Sequence, residues 1–311
     1  MVLTRKGTIF MDIRKTGNKK QLLSAYELYL TDGSAQGKKC ILVNNGTLEV
    51  MFNASNALDI AWVKFNGVNL SYLSSNGLNS NEGPFKERFD GGFLYTCGLN
   101  NVSSCEKGLA THGSMHARKA ENVYYTVDDD KITVCGTVVN SALRGPNLIF
   151  TRKYQVYSDK IIVNDNVFND SYVDAEFALI YHTNFGYPFL DTCLQVNFDA
   201  KESIPANSYC IDKVADCKKI HDPLDYGNEE LYYHVLKNNH VEMTNKKVAI
   251  KCTMDFDSQN FPYMVQWKNL YAGNYVLGIE PSTTRFDEYK KIKLSAQENR
   301  NLSMTVKFEK A

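Results

Sequence analysis

The stretch NLIFTRKYQVYSDKIIVNDNVFN, residues 147–169, decides the fold class. Apolar and polar side chains alternate through most of its length, as they do in strands that bury one face. The pattern is interrupted at Ser158–Asp159, a pair of residues that favours a turn. The piece 153–169 is therefore predicted to form a strand, a turn and a second strand that pairs with the first.

Two more segments repeat this arrangement. In KKCILVNNGTLEVMFN, residues 38–53, the dipeptide Asn45–Gly46 separates two apolar runs and is typical of a tight hairpin turn. In VYYTVDDDKITVCGTVVN, residues 123–140, the acidic run Asp128–Asp130 lies between two alternating strands. The chain is therefore expected to be rich in antiparallel hairpins.

Strands dominate the rest of the chain as well, and no alternation of strands with long helices occurs. This pattern predicts an all-β protein, an antiparallel sandwich or supersandwich with few short helices. Weak helical periodicity is strongest near residues 18–30, and the mixed segment 200–240 is interpreted as a loop-rich insertion bordering a cleft. No repeat or flexible linker divides the 311 residues, so a single domain over residues 1–311 is expected.

Composition excludes several function classes. The chain has 35 basic and 35 acidic residues and a formal net charge of +0, so no overall field favours nucleic acid or an anionic membrane. The first fifteen residues carry charges where a signal peptide needs an apolar run, and no segment is apolar enough to span a bilayer. The 8 cysteines form no CxxC pair. A cytoplasmic protein with reduced, mostly buried cysteines and no zinc site is expected.

The stretch LIYHTNFGYPFL, residues 179–190, places polar groups inside an apolar run. In a strand, successive side chains point to opposite faces, so His182 and Asn184 share one face while Leu179 and Tyr181 share the other. The strand can then pack a core with one side and present an imidazole and an amide on its other side. A single strand histidine is more often structural than functional, so this feature alone does not define a site.

A second polar set occurs in FPYMVQWKNLYAGNYVLGIEPST, residues 261–283, interpreted as two strands joined by a turn at Tyr271–Asn274. Alternation separates Glu280 from the apolar residues next to it in the second strand. The same argument separates Gln266 and Lys268 from their apolar neighbours in the first strand. The carboxylate, amide and ammonium groups are predicted to share the face that lines a polar cleft, with Gly278 leaving space for a ligand or another chain. Trp267 is assigned to the core.

Two glycine-containing stretches add further candidates. In residues 88–102, the pair Gly91–Gly92 predicts a bulge or a close approach of backbone segments, and Arg88 precedes it. In residues 111–123, His112 and His116 have helical spacing. The glycine between them disfavours a helix, and no other ligand is near, so no metal site is predicted and His116 is interpreted as an ordinary loop residue. No P-loop, nucleophile elbow, zinc-protease helix or dinucleotide fingerprint occurs.

Taken together and in order, these stretches resemble the aldose 1-epimerase (galactose mutarotase-like) superfamily, specifically a poorly characterised bacterial branch. The motifs are GGxLxTCGLxNV at 91–102, HGxxxxxxAE at 112–121, YHxNxGxP at 181–188, and QWK at 266–268 followed by GxEP at 278–281. The resemblance covers about residues 35–310, leaving 1–34 as an N-terminal strand or helix extension. The ordered set is specific, whereas each motif alone is weak.

The resemblance implies a β-supersandwich that interconverts the anomers of a sugar without metal or cofactor. Glu280 would be the base and His182 the acid, on opposite sides of the sugar ring, and His112 would orient the ring oxygen or share the acid role. Arg88 lies near the position of a substrate-binding arginine in better-known members. The sequence departs from those members at Thr183, which follows the acid histidine in place of proline, and from its branch at Ser114, where arginine is frequent.

Other substrate-binding candidates follow from strand alternation. They are Asn184, Gln266 and Lys268, and the lysine suggests an acidic or phosphorylated sugar. The expected partner is a small sugar or sugar derivative, with no nucleic acid or membrane partner. Two alternatives stay open at this point: a sugar-binding module or sensor without catalysis, and another proton-transfer enzyme, such as an epimerase or lyase acting on a sugar acid.

Overall fold

The computed structural model describes residues 13–103, 109–288 and 290–311. These residues form, in chain order, the strands β1 (Ser24–Tyr29), β2 (Lys39–Asn44), β3 (Leu48–Asn53), β4 (Asp59–Phe65) and β5 (Val68–Asn69), the helix α1 (Phe85–Arg88), and the strands β6 (Leu94–Leu99), β7 (Glu121–Val127), β8 (Lys131–Ser141), β9 (Asn147–Tyr157), β10 (Lys160–Asn169) and β11 (Ala175–Gly186). The later strands are β12 (Gln195–Asn197), β13 (Ala200–Pro205), β14 (Glu230–Leu236), β15 (His240–Asn245), β16 (Ile250–Phe256), β17 (Tyr263–Tyr271), β18 (Asn274–Ser282), β19 (Ile292–Leu294) and β20 (Asn299–Lys310). Short 3₁₀ segments are Ile13–Lys15, Lys19–Gln21, Gly33–Ala35 and Ser208–Asp216.

The strands form two antiparallel sheets. The larger sheet has 12 strands, in the order β1-β2-β3-β4-β6-β11-β18-β17-β14-β13, with β5 beside β4 and β19 beside β11. The smaller sheet has 8 strands, in the order β12-β15-β16-β20-β10-β9-β8-β7. The predicted all-β supersandwich with few short helices is confirmed.

The hairpins are where the turn residues place them. Ser158–Asp159 joins β9 to β10, with Ile161 opposite Val156. Asn45–Gly46 lies in the turn between β2 and β3, and Asp128–Asp130 joins β7 to β8. These connections are local, so they follow from turn chemistry and alternation alone.

The main hydrophobic core lies between the two sheets. Phe52 of the larger sheet packs on Tyr154 of the smaller one with ring centroids 4.7 Å apart. Phe65 likewise stacks on Phe308 at 5.8 Å. The apolar inner faces of the two sheets pack against each other and hold the sheets together. The outer face of the larger sheet takes no part in this core and can carry polar side chains.

Two sequence-based expectations differ from the structure. Residues 18–30 contain a 3₁₀ turn followed by β1, because pairing with β2 buries Ala25 and overrides the weak helical pattern. The segment 200–240 is not a simple insertion, since it contributes β13, the 3₁₀ segment Ser208–Asp216 and β14. β14 pairs with β17 inside the larger sheet.

Most cysteine side chains are buried, as expected. Within the described residues, six cysteines are buried, Cys193 is exposed and none forms a disulfide. Cys105 lies outside the described residues. In the same residues no helix has the length and apolar character needed to cross a membrane.

Candidate active site

Strand pairing brings His182 and Glu280 together on the outer face of the larger sheet. Ile180 of β11 is opposite Ser282 of β18, and Thr183 is opposite Ile279, so His182 falls opposite Glu280. Directly opposite residues of an antiparallel pair project from the same face. Two residues that are 98 positions apart in the chain are thus neighbours across one strand pair.

The two side chains touch. His182 Nε2 lies 3.4 Å from Glu280 Oε1, and their exposed fractions are 5% and 1%. Within the described residues, His182 Nδ1 and Glu280 Oε1 are buried without a hydrogen-bond partner. The expectation that the two groups lie on opposite sides of a sugar ring is wrong, because a 3.4 Å contact leaves no space between them. They stand side by side.

Burial keeps both groups uncharged. Desolvation, with the His112 ring as the second cause, lowers the pKa of His182 to about 3. Desolvation, with the negative charge of Glu229 as the second cause, raises the pKa of Glu280 well above its usual range. At neutral pH the pair is therefore a neutral imidazole beside a protonated carboxyl group, and it holds one acidic proton.

Gly278 determines where the Glu280 carboxyl group lies. A Cβ atom at position 278 would clash with Glu280 Oε1 and would lie 3.1 Å from Trp267 Cβ. The space that the sequence assigned to a ligand is occupied by the Glu280 carboxyl group itself. Gly278 is thus needed for the contact with His182.

His112 completes the group. Its ring centroid lies 5.7 Å from that of His182, and its Nδ1 is 2.9 Å from the carbonyl oxygen of Val102. A carbonyl only accepts, so Nδ1 carries the proton and Nε2 is left as the basic nitrogen. Burial lowers the pKa of His112, although the hydrogen bond to Val102 opposes this effect, and the charge of Arg88 lowers it further.

Aromatic rings surround the His182–Glu280 pair. Trp267 and Phe89 lie 5.4 Å and 5.8 Å from the His182 ring, and Phe85 lies 4.8 Å from the His112 ring. Trp267 is therefore a wall of the cleft, not a core residue as predicted. Alternation alone does not show which face of β17 is buried, and pairing with Gly278 places Trp267 on the same face as Glu280.

Arg88 and Asn184 lie at the site in different ways. Asn184 is fully buried on the cleft face; its Nδ2 donates to the carbonyl oxygens of Gly92 and His182, and its Oδ1 has no partner among the described residues. Arg88 is the last residue of α1, and its positive charge acts to lower the pKa values of Tyr95 and His112. The Arg88 guanidinium makes no ion pair within the described residues.

Gln266 and Lys268 are not part of this cleft. Glu280 is opposite Val265, whereas Gln266 is opposite Ile279 and Lys268 opposite Leu277, so both project from the inner face. Gln266 contacts His234 at 3.0 Å, and Lys268 pairs with Glu230 at 2.7 Å. The prediction that they share a face with Glu280 is wrong, because a strand's pairing register fixes which residues share a face across the pair.

The sequence analysis also missed His116, which is buried and bridges two carboxylates. Its Nδ1 lies 2.7 Å from Asp59 Oδ2, and its Nε2 lies 3.2 Å from Asp90 Oδ1. Burial opposes a charge on His116, but Asp90 and Asp59 outweigh this effect and raise its pKa to about 9. The interpretation as an ordinary loop residue is therefore wrong.

The Asp59 carboxylate continues into a buried polar network. Arg152 NH1 donates to Asp59 Oδ1 at 2.6 Å, and Arg152 NH2 donates to Asp165 Oδ2 at 2.7 Å. Tyr181 donates to the same Asp165 oxygen at 2.7 Å. The sequence carried one signal of this network: Arg152 alternates with Phe150 and Tyr154 and so points inward, where a guanidinium needs carboxylate partners.

Within the described residues, no group of three or more histidine, cysteine or acidic side chains is arranged to hold a metal ion. His112, His182 and Glu280 are titratable groups that can transfer protons to and from a molecule bound in the cleft.

Solved structures define the class of fold. A galactose mutarotase-like protein from Clostridium acetobutylicum is 16% identical, with a TM-score of 0.73, covering 94% of this chain and 100% of that one. An aldose 1-epimerase candidate from Klebsiella pneumoniae is 17% identical, with a TM-score of 0.83, covering 93% and 88%. A galactose 1-epimerase from Lactobacillus acidophilus is 13% identical, with a TM-score of 0.68, covering 93% and 99%. The fold is therefore mutarotase-like.

The family assignment is more specific than the fold. The chain belongs to the family described as Domain of unknown function (DUF4432), whose sequence profile matches residues 35–308. No curated protein matches the chain.

Proposed function

We propose that this protein interconverts the anomers of a free sugar by proton transfer, without a cofactor. The observation that carries the proposal is the buried contact between His182 and Glu280, in which a neutral imidazole lies beside a protonated carboxyl group. The mutarotase-like fold supports the same reaction class.

The side-by-side geometry suits this reaction. In a cyclic sugar the anomeric oxygen and the ring oxygen are bonded to the same carbon, so two groups standing next to each other can reach both. Ring opening needs one group to take the proton of the anomeric hydroxyl and the other to give a proton to the ring oxygen. His112 Nε2 is available to accept a hydrogen bond from a sugar hydroxyl, since Nδ1 donates to the carbonyl oxygen of Val102.

The protons balance over the cycle. Starting from the neutral pair, opening moves the anomeric proton to His182 and the Glu280 proton to the ring oxygen, the reverse of the roles that the resemblance implies. The open chain then faces an imidazolium at His182 and a carboxylate at Glu280, rotates about its first bond, and closes by the reverse transfers. The pair therefore holds the same number of protons before and after the cycle.

The substitution Glu280→Gln tests this proposal, because the amide keeps the shape of the side chain but cannot transfer the proton. We expect anomer exchange, measured by saturation-transfer NMR over a panel of aldoses, to fall about 10²–10⁴-fold. Glu309→Gln is the matched control, since Glu309 is a surface partner of Lys307 at 2.7 Å in β20.

Two results would overturn the proposal. The first is the absence of enhanced exchange across the whole panel, and the second is full activity in Glu280→Gln. Sugar-dependent thermal stabilisation that survives Glu280→Gln without any exchange would instead favour a binding module. A change in sugar composition would favour a different epimerase or a lyase.

A further inference from the structure

His116 has a fixed place next to the proposed site but no part in the proton transfer. Both of its ring nitrogens face a carboxylate, at 2.7 Å for Asp59 and 3.2 Å for Asp90. The Asp59 contact is a hydrogen bond, whereas Asp90 Oδ1 lies at ion-pair distance and has no hydrogen-bond partner among the described residues. A position between two acidic side chains favours the charged form of the ring.

The His116 ring also supports the floor of the cleft. It stacks on Tyr95 with ring centroids 3.7 Å apart and an interplanar angle of 17°. Tyr95 is directly opposite His182 in the pairing of β6 with β11, and their ring centroids are 6.3 Å apart. A shift of His116 would therefore be transmitted to the neighbour of His182.

The second carboxylate connects His116 to the cover of the cleft. Asp90 directly follows Phe89, whose ring lies 5.8 Å from His182 and 5.2 Å from Tyr95. Asp90 is buried, and His116 is its one ion-pair partner within the described residues. The backbone here is held from another side: the Asp90 carbonyl accepts from the Ser74 amide at 3.0 Å, and the Phe89 carbonyl accepts from Asn76 Nδ2 at 2.9 Å. The Asp90 side chain is what joins this segment to His116, at 3.2 Å.

We propose that His116 is a positioning residue: its contact with Asp90 holds Phe89 over the His182–Glu280 pair, and its stacking fixes Tyr95 beside His182. The cover is the segment Phe85–Asp90, which includes both aromatic rings above the histidines. The link to reaction rate rests on the proposed function, whereas the effect on the cover does not.

The cover should then open when His116 loses its charge. Asp90 and Asp59 raise the pKa of His116 to about 9 despite its burial, so the Asp90 contact weakens above that pH. Other charged or titratable groups lie around the contacts of His116 with Asp59 and Asp90. Tyr95 on β6 stacks on the His116 ring, Arg152 on β9 donates to Asp59, and Lys38 lies near Asp90.

Trp267 can report the position of the cover, because its ring lies 6.1 Å from Phe89. The protein has 2 tryptophans, so Trp62→Phe leaves Trp267 as the sole tryptophan, which can be excited selectively over the tyrosines. In this background we expect acrylamide quenching to be constant at neutral pH and to rise as the pH passes about 9. In the same background, His116→Gln or Asp90→Asn should increase quenching already at neutral pH, and quenching should then show no further increase above pH 9.

A matched control is His240→Gln, which removes an exposed histidine 2.7 Å from Asp255 on the smaller sheet and should leave the quenching profile unchanged. His116→Phe keeps the ring stack without the charge, and it should open the cover as His116→Gln does. If sugar exchange is measurable, His116→Gln should move the alkaline limb of the rate profile, an effect that simple loss of stability would not produce.

Quenching that does not change with pH in the Trp62→Phe protein would overturn the inference, and this test requires no substitution at His116. Unchanged quenching in a folded His116→Gln protein would overturn it as well. Opening of the cover near pH 9 in a protein that exchanges no sugar would support the positioning role while the proposed function fails.

Discussion

Two histidines lie near the same tyrosine ring, yet they carry different charges. His116 stacks on Tyr95 at 3.7 Å, and His182 meets it edge-on at 6.3 Å. Both are buried, with exposed fractions of 7% and 5%. The pKa of His116 is raised to about 9, whereas the pKa of His182 is lowered to about 3. Burial alone therefore does not decide the charge of a histidine.

The difference lies in the carboxyl groups beside them. Asp59 accepts from the Thr96 amide at 2.9 Å and from Arg152 at 2.6 Å. Burial raises the pKa of Asp59, but the hydrogen bond from His116 and the charge of Arg152 outweigh this effect and lower it. Among the described residues no lysine or arginine pairs with Glu280, and burial together with the charge of Glu229 raises its pKa. An anchored carboxylate stabilises an imidazolium, whereas a protonated carboxyl group leaves the imidazole neutral.

Removing the anchored carboxylate should have the largest effect. We expect Asp59→Asn to lower the free energy of unfolding by about 3–5 kcal/mol, because Arg152 and His116 then lose a buried partner. Urea denaturation measures this change. The control Asp255→Asn breaks an exposed pair and should cost about 1 kcal/mol or less. Equal effects of the two substitutions would contradict the importance of the buried network.

The charge on His116 should make stability depend on pH. Its folded pKa of about 9 exceeds the unfolded value of about 6.5, so its stabilisation is complete below pH 6.5 and is lost as the pH rises through 9. The difference in unfolding free energy between the wild type and His116→Gln should shrink by roughly 3 kcal/mol over this range. Denaturation at several pH values tests this, and a constant difference would contradict a charged His116.

Moving the Glu280 carboxyl group should affect the rate more than the stability. In Gly278→Ala the added methyl group would displace the flexible end of Glu280, so we expect anomer exchange to fall by about tenfold or more. The melting temperature should change little. Gly17→Ala, where a Cβ meets nothing within 4 Å, is the control. Full activity in Gly278→Ala would show that the His182 contact is not needed.

The smallest expected effect concerns the rate profile between acid and neutral pH. The pKa of His182 is about 3, so this ring does not titrate in the range, and the raised pKa of Glu280 favours its protonated form. The exchange rate should therefore vary by less than about twofold between pH 5 and 8. An inflection near the ordinary histidine pKa of about 6.5 would show that His182 titrates normally.

The sequence predicts the features that depend on local chemistry. Turn residues such as Asn45–Gly46 and Ser158–Asp159 define hairpins, and alternation places His182 and Asn184 on one face. The order of the motifs brings His112, His182 and Glu280 into one candidate group. Their contact distances come from long-range pairing, which no local pattern contains.

The errors follow from the same limits. Gln266 and Lys268 were placed beside Glu280 because each strand was divided into faces separately, without the register across the turn Tyr271–Asn274. That turn sets Tyr271 opposite Asn274, and counting back from it puts Glu280 opposite Val265. His116 is interpreted wrongly from the sequence as a loop residue, since Asp59 is 57 residues away and only the fold brings the two together.

The most direct test of the contrast between the two histidines is ¹⁵N NMR of the histidine rings at neutral pH, with assignment by His116→Gln and His182→Gln. We expect His116 to show two protonated ring nitrogens and His182 to show a neutral ring, with His116 losing its second proton at a pH of about 9. A protonated His182 beside an ionised Glu280 in the protein without sugar, or a neutral His116, would contradict the contrast between the two histidines.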